Sequence, residues 1–201
     1  MWHLPRTSHP APGELVRVGA NVDLRRHSAA DRDAFISWYQ DPEIATMLRH
    51  DLSPLTMIQA RGYFDTIVMP ASRSGTCWAI AMHNTGQVIG TTAIVDIDHQ
   101  SRTSLFRILI GEREAWGNGY GTEATDLVLA EAFERLGLLQ VNLEVFQHNP
   151  RAQAVYRRNG CEVTGRHVEW VARVGRNIEV VEMAMTHARW NERGLLHQVD
   201  S

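Results

Sequence analysis

Ile108-Leu109-Ile110-Gly111-Glu112-Arg113-Glu114-Ala115-Trp116-Gly117-Asn118-Gly119-Tyr120-Gly121-Thr122-Glu123-Ala124 runs from an apolar strand through a cluster of glycines into a helix. The alternate glycines 117, 119 and 121 free three backbone positions from side chains. Successive N–H groups can then converge on one anion at a helix N-terminus, where the helix dipole also favours negative charge. The stretch reads as a diphosphate cradle. The alternative is a turn that holds no ligand, but a turn needs one or two glycines rather than three. A nucleoside-triphosphate loop places Lys-Ser or Lys-Thr directly after its last glycine. Here Gly121 is followed by Thr122-Glu123. A dinucleotide fingerprint needs the spacing G-x-G-x-x-G and an acid ending the next strand. Here the spacing is G-x-G-x-G, and Glu131 and Glu134 fall inside the helix that follows.

A second block lies about thirty residues downstream. Val141-Asn142-Leu143-Glu144-Val145-Phe146 alternates as a strand does. Asn149-Pro150 then reads as an N-cap followed by proline at the first helical position. The helix runs through Ala152, Ala154, Val155 and Tyr156 to Asn159-Gly160, where glycine suits a left-handed cap, and the chain returns to strand at Cys161-Glu162-Val163.

The cradle resembles the coenzyme A loop of the GNAT acetyltransferases. Its words Trp116-Gly117-x-Gly119-Tyr120-Gly121-Thr122-Glu123-Ala124 are similar to the branch that contains the RimJ and RimL ribosomal-protein N-acetyltransferases. Asn149-Pro150-Arg151-Ala152 with Tyr156-Arg157-Arg158-Asn159-Gly160-Cys161 is similar to a second motif of the same family, in the right order and spacing. The resemblance covers about residues 20 to 187. It implies an α+β GNAT fold, a central mixed, mostly antiparallel twisted sheet flanked by helices. Acetyl-CoA is then the cosubstrate, without a metal, bound at a splayed strand and the following helix N-terminus. By the same resemblance a backbone N–H within Ile108, Leu109 and Ile110 holds the thioester carbonyl. Trp116, Gly117, Asn118, Gly119, Tyr120, Gly121 and Thr122 take the diphosphate, Asn149 bonds the pantetheine arm, and Tyr156 stands near the sulfur as a proton donor. Three positions depart from the commoner pattern. Trp116 stands where many members carry Arg or Gln, Cys161 where phenylalanine is usual, and Tyr156 where many members of this branch have another residue. A tyrosine packed against the sheet is the other reading of Tyr156.

The implied reaction moves an acetyl group to a primary amine, whether a protein N-terminus, a polyamine or a small molecule. Freeing the lone pair of an alkylamine of pKa about 10.4 costs roughly 4–5 kcal/mol at pH 7, against about 1–2 kcal/mol for a peptide α-amine. The first needs a base; the second needs little more than water. Glu112 is the first candidate base, with Glu114 beside it, and both also read as charges before a helix N-terminus. His148, just before Asn149, is a further candidate of the residue type suited to proton transfer but also reads as a surface residue. Asp41 and Glu43 lie between the early helices, the acceptor wall of this fold, and are expected to attract a cationic amine unless they serve only as caps. Arg151, Arg157 and Arg158 are candidates for the coenzyme's phosphates or a solvated helix face. A catalytically silent acyl-CoA sensor with the same cradle is the alternative function.

The remaining features bound this reading. The 201 residues, 44% hydrophobic and 21% charged, fit one globular domain. The expected division is a loose tail over 1–14, with prolines at 5, 10 and 12, a domain over 15–187 and an extension over 188–201. A net charge of −3 with dispersed basic residues gives no footprint for nucleic acid. Cys77 and Cys161 form no metal-ligand spacing and read as buried free thiols in a reducing cytoplasm. No apolar run reaches membrane-spanning length, and the first residues lack a secretory pattern. A monomer or homodimer is expected. Along the chain, strand 22–25 precedes a helix entered at Ser28-Ala29-Ala30-Asp31. A second helix is capped by Ser53-Pro54, has apolar positions at Leu55, Ile58, Tyr63 and Ile67, and ends before Pro70. Strands at 77–82 and 88–94 form a hairpin, 104–110 is the next strand, and 163–174 with 177–185 closes the sheet around Gly175.

Overall fold

The computed structural model describes residues 13–48 and 52–199. The expected loose tail therefore lies almost wholly outside the described residues. Eight strands form one sheet: β1 (Leu15–Val18), β2 (Val22–Arg25), β3 (Cys77–Met82), β4 (Val88–Asp98), β5 (Thr103–Ile110), β6 (Gln140–Phe146), β7 (Glu162–Val171) and β8 (Arg176–Thr186), in the spatial order β1-β2-β3-β4-β5-β6-β8-β7. All neighbours are antiparallel except β5 and β6. That parallel pair is short, Thr103 to Leu105 against Gln140 to Asn142, and beyond it the two strands part. A parallel connection needs a crossover, and α5 (Tyr120–Ala130), prolonged by a π turn over Glu131–Arg135, supplies it.

Strand alternation sends side chains to two cores. Val22, Leu24, Trp78, Ile80, Val141, Leu143, Val181 and Met183 meet Val128, Leu129 and Phe133 of the crossover helix, and Tyr156 of α6 (Pro150–Arg158). The other face carries α1 (Arg32–Gln40), α2 (Pro42–Leu48), α3 (Met57–Tyr63) and α4 (Met69–Ser74); Phe35 and Trp38 of α1, Ile44 of α2 and Phe64, between α3 and α4, pack with Cys77 and Leu109. The last helix, α7 (His187–Val199), lays Trp190 and His187 against Phe133. No helix among the described residues is long and apolar enough to cross a membrane.

Two expectations about the helix after residue 53 are corrected. Its cap is Thr56, whose hydroxyl accepts from the Gln59 N–H while Gln59 returns a bond to the Thr56 N–H at 2.9 Å. The helix does not end before Pro70. A π turn at Phe64–Val68 joins α3 to α4 and accommodates a proline that has no N–H to give back. Gly75, at φ 87°, stops it. The buried stripe is Ala60, Phe64 and Val68, leaving Ile58 84% and Ile67 54% exposed. Cys77 and Cys161 are buried free thiols.

Candidate functional site

Where β5 and β6 part, the sheet opens into a cavity of about 410 Å³, walled by both strands, by α6 and by the start of α5, and reached by Ile44, Met47 and Leu48 of α2. Backbone polarity there follows from strand alternation. The Gly111 N–H donates to Ile89 on the β4 side, while the Ile110 carbonyl accepts the Trp116 indole N–H at 2.7 Å. Ile110 thus turns its backbone toward the opening, and Ile108, two residues back, turns its N–H the same way. No side chain is needed to place a donor at this point.

The cradle has the backbone that its glycines foretell. Gly117 and Gly119 adopt φ of 81° and 86°, a region that favours glycine. Gly119 caps α5, its carbonyl accepting from Thr122 and Glu123. The N–H groups of residues 117–121 find no backbone carbonyl among the described residues. Free donors at a helix N-terminus suit a diphosphate. A Cβ on Gly121 would lie 3.6 Å from Ile110 and 3.7 Å from Val155, between opposite walls of the cavity. The residues present therefore fit an extended, anionic coenzyme.

Of the residues singled out in the sequence, Ile108, Leu109, Ile110, Trp116, Gly117, Gly119, Tyr120, Gly121, Thr122, Asn149, Arg151 and Tyr156 all line the cavity. Asn118 does not, and braces the turn by donating to the Glu114 carbonyl. Asn149 accepts from the Ala152 N–H at 3.1 Å, capping α6 with its oxygen and leaving its amide N–H₂ for another partner. Tyr156 is 6% exposed, edge-on to Phe106. Burial, assisted by the neighbouring Cys161, pushes its phenol up, so it stays protonated at neutral pH. Arg151 stacks over the Trp116 ring at 4.5 Å, and Arg158 also reaches the cavity, whereas Arg157 donates to Gln153.

The proposed acids fall differently. Glu112 lies outside the cavity lining and accepts the Trp38 indole N–H at 2.8 Å. Asp41 accepts from the backbone of Glu43 and Ile44 and pairs with Arg113 at 2.7 Å; Glu43 pairs with the same guanidinium. Burial alone would raise the Asp41 carboxyl, but Arg113 and the two backbone N–H groups outweigh it and hold it low. These two carboxylates clamp the α1–α2 turn to the cradle rim. His148 Nε2 donates to the Thr46 carbonyl of α2 at 2.8 Å.

The sequence reading missed three groups. Gly111 is obligatory because a Cβ there would lie 2.1 Å from the Trp38 ring. Trp38 itself is the second. The third is Glu144, the sole carboxylate among the described cavity-lining residues. It stands on β6 directly opposite Glu182 of β8, whose carboxylate meets His167 Nδ1 at 2.7 Å, and His167 Nε2 lies 3.1 Å from Glu169. Hydrogen bonds to Glu169 and then Glu182 raise the His167 pKa. The alternation of residues 141–146 already set Glu144 apart from Val141, Leu143 and Val145; only the parting of the strands turns it into cavity wall.

A family model described as an acetyltransferase (GNAT) domain matches residues 21–162. An uncharacterized N-acetyltransferase, p20, of Bacillus licheniformis is 24% identical over 130 residues, 64% of this chain and 71% of that protein. Spermidine N(1)-acetyltransferase of Escherichia coli K12 is 34% identical over 80 residues, 40% of this chain and 42% of that protein, so this match spans less than half of either. Among solved structures, spermidine N-acetyltransferase from Vibrio cholerae, in complex with CoA and spermine, superposes with a TM-score of 0.72 at 19% identity, covering 84% of this chain and 97% of that one. A GNAT-family acetyltransferase from Bacillus anthracis gives 0.73 at 12% identity, covering 85% and 97%. These structures share the fold.

Proposed function

Because the chain belongs to the acetyltransferase (GNAT) family, we propose that it acetylates a primary amine of a polyamine, with Glu144 as the group that collects the cation and takes its proton. The observation that carries this reading is Glu144, the sole carboxylate among the described residues that line the cavity. Negative charge on that wall attracts a polycation. The names of the spermidine acetyltransferases support the same acceptor class.

Acetyl-CoA supplies an activated thioester when bound. In this reading the amides of 117–122 hold its diphosphate, the Asn149 amide donates to the pantetheine arm, and the Ile108 N–H donates to the thioester oxygen as charge develops there. Glu144 removes the proton that costs roughly 4–5 kcal/mol at an alkylammonium. The neutral amine forms the new N–C bond and the C–S bond breaks; Tyr156 donates its proton to the departing sulfur and regains one from the acylated nitrogen, which gives up its second proton. Since a thiol has a pKa of about 8.5, the proton on sulfur matters less than placement. Glu112, held by Trp38, acts in this scheme by positioning the loop. Two buried free thiols are in keeping with the cytoplasm as its compartment. A second reading takes a protein N-terminus as acceptor, favoured by the RimJ/RimL-like words at 116–124.

The test is thiol release from acetyl-CoA with spermidine, spermine, a short peptide with a free α-amine, and no acceptor. Polyamine turnover is expected, with Glu144→Gln lowering kcat/KM at least tenfold at pH 7 and less at pH 9, where more of the amine is already neutral. Preference for the peptide, with an unaffected variant, overturns the polyamine assignment. Coenzyme binding without turnover of any amine would make the protein an acyl-CoA sensor.

A further inference from the structure

Glu144 does not stand alone at its level of the cleft. The last paired residues of the two parallel strands are Leu105 of β5 and Asn142 of β6. Two residues further on, the same register puts Arg107 level with Glu144, each on its own side of the gap and on the same face of the sheet. The helical layer covers that face. Leu109, two residues beyond Arg107, packs in one cluster with Phe35 and Trp38 of α1, while Ala93, opposite Arg107 on β4, is too short to cover the arginine.

Arg107 is exposed and lines the cavity, and its guanidinium forms no hydrogen bond or ion pair with a described residue. Arg113, by contrast, holds both Asp41 and Glu43. The wall around Arg107 and Glu144 is apolar, made by Ile44, Met47 and Leu48 of α2 with Leu105, Phe146 and Val180. The next residue after Arg107 is Ile108, whose N–H turns to the cleft. A cation with no carboxylate of its own and no bond to the fold, set beside that point, is a poor fit to a polycationic acceptor unless it discriminates among such acceptors.

We infer that Arg107 is a specificity-determining residue that selects acceptors by the spacing of their charges, disfavouring amines whose second ammonium lies only a few methylenes from the reacting nitrogen. The inference rests on the polyamine reading above. The reacting amine has to reach the thioester at Ile108, so a short spacer keeps the second cation close to the neighbouring guanidinium, while a longer one carries it past into solvent. Repulsion between like charges falls with distance and with the dielectric around them. Glu144 supplies the attraction and Arg107 the penalty, and selectivity is the difference between acceptors in that balance.

The experiment is steady-state thiol release from acetyl-CoA with 1,3-diaminopropane, 1,4-diaminobutane and 1,6-diaminohexane, and product analysis with spermidine, whose two ends carry an aminopropyl and an aminobutyl arm. In the wild type kcat/KM should rise along the diamine series. Arg107→Gln should raise kcat/KM about fivefold for 1,3-diaminopropane, mainly through KM, and by less than about twofold for 1,6-diaminohexane. Comparing variant with wild type on the same diamine cancels that diamine's own pKa. Arg107→Lys, which keeps the charge, should keep the wild-type profile. Spermidine should be acetylated mainly on its aminobutyl end by the wild type and more evenly by Arg107→Gln, a ratio that does not depend on how much of the variant is folded. At about 500 mM salt the contrast should shrink. A spacing profile and product ratio that Arg107→Gln leaves unchanged, or that Arg107→Lys loses as Arg107→Gln does, overturn the inference while polyamine turnover stands. A preference for 4-aminobutanoate over 1,4-diaminobutane that Arg107→Gln abolishes overturns it by giving the guanidinium a carboxylate to bind. Turnover of no diamine overturns the polyamine reading and the inference with it.

Discussion

Gly121 and its neighbour Gly119 carry the same residue type for different reasons, and the difference yields a clean probe. Gly119 holds a positive φ, so any side chain there strains the backbone whatever is bound. Gly121 is helical, and a Cβ would meet only Ile110 and Val155 at ordinary contact distances. Alanine favours a helix over glycine by up to about 1 kcal/mol. Gly121→Ala should therefore keep or slightly raise the melting temperature while weakening coenzyme binding by about tenfold or more, because its methyl narrows the cleft between two walls. Calorimetry showing wild-type affinity in this folded variant would remove residues 117–122 from the binding site. At the same scale, Glu144 shows why local motif reading stops short. A glutamate on a strand is ordinary until its surroundings are known, and its role depends on β5 having parted from β6.

At the scale of elements, α6 illustrates how one side chain serves both fold and site. Its cap uses only the Asn149 oxygen, which leaves the amide N–H₂ for a ligand. Asn149→Ala removes both functions and should cost about 1 kcal/mol of stability through the lost cap. Asn149→Asp keeps an acceptor for the Ala152 N–H and adds favourable charge at a helix N-terminus, but loses the donor. It should retain wild-type urea stability and still bind coenzyme A several-fold more weakly. Equal loss of stability in both variants would mean that the side chain acts through the cap alone. Helix starts of this kind were legible in the sequence, since Asn-Pro and the glycine after the last turn are local chemistry. The helix through Pro70 was not: its π turn depends on Phe64 and Val68 being held in the core against Phe35 and Cys77, a tertiary contact that overrides the usual reading of proline.

For the molecule as a whole, acid stability depends on a buried ion pair between the sheet and the helical layer. Arg25 of β2 binds Asp31 through two nitrogens at 2.7 and 2.8 Å, just before α1. Burial would raise the Asp31 carboxyl, but Arg25, His27 and the Ser28 N–H outweigh it and depress it far below the usual range. The sign follows from proton counting. The folded state holds fewer protons at this site than the unfolded chain, so the stabilisation is complete above the unfolded pKa of about 4 and is lost as pH falls below it. Urea midpoints should drop from about pH 4 downward. Asp31→Asn should cost about 3 kcal/mol at pH 7, by leaving Arg25 without its charge partner, and should flatten that drop. An acid profile identical to wild type in the variant would assign acid lability to other carboxylates.

The order of strands and helices, the cradle glycines and the α6 cap follow from periodicities of two and 3.6 and from turn residues, all of them properties of a few consecutive positions. By these means the sequence alone determined the α+β order of elements and marked a cradle for an anion, while the coenzyme and the candidacy of Asn149 and Tyr156 came from the resemblance to the GNAT family. Charge roles needed the folded chain. Asp41 and Glu43, open carboxylates in the sequence, are paired with Arg113 from seventy residues away, and Glu112 is bonded to Trp38. Glu144 gained its proposed role only when strand divergence made it part of the cavity wall. Backbone conformation is decided locally by sterics, whereas the electrostatics of a side chain is decided by whatever the tertiary fold places within a few ångströms of it.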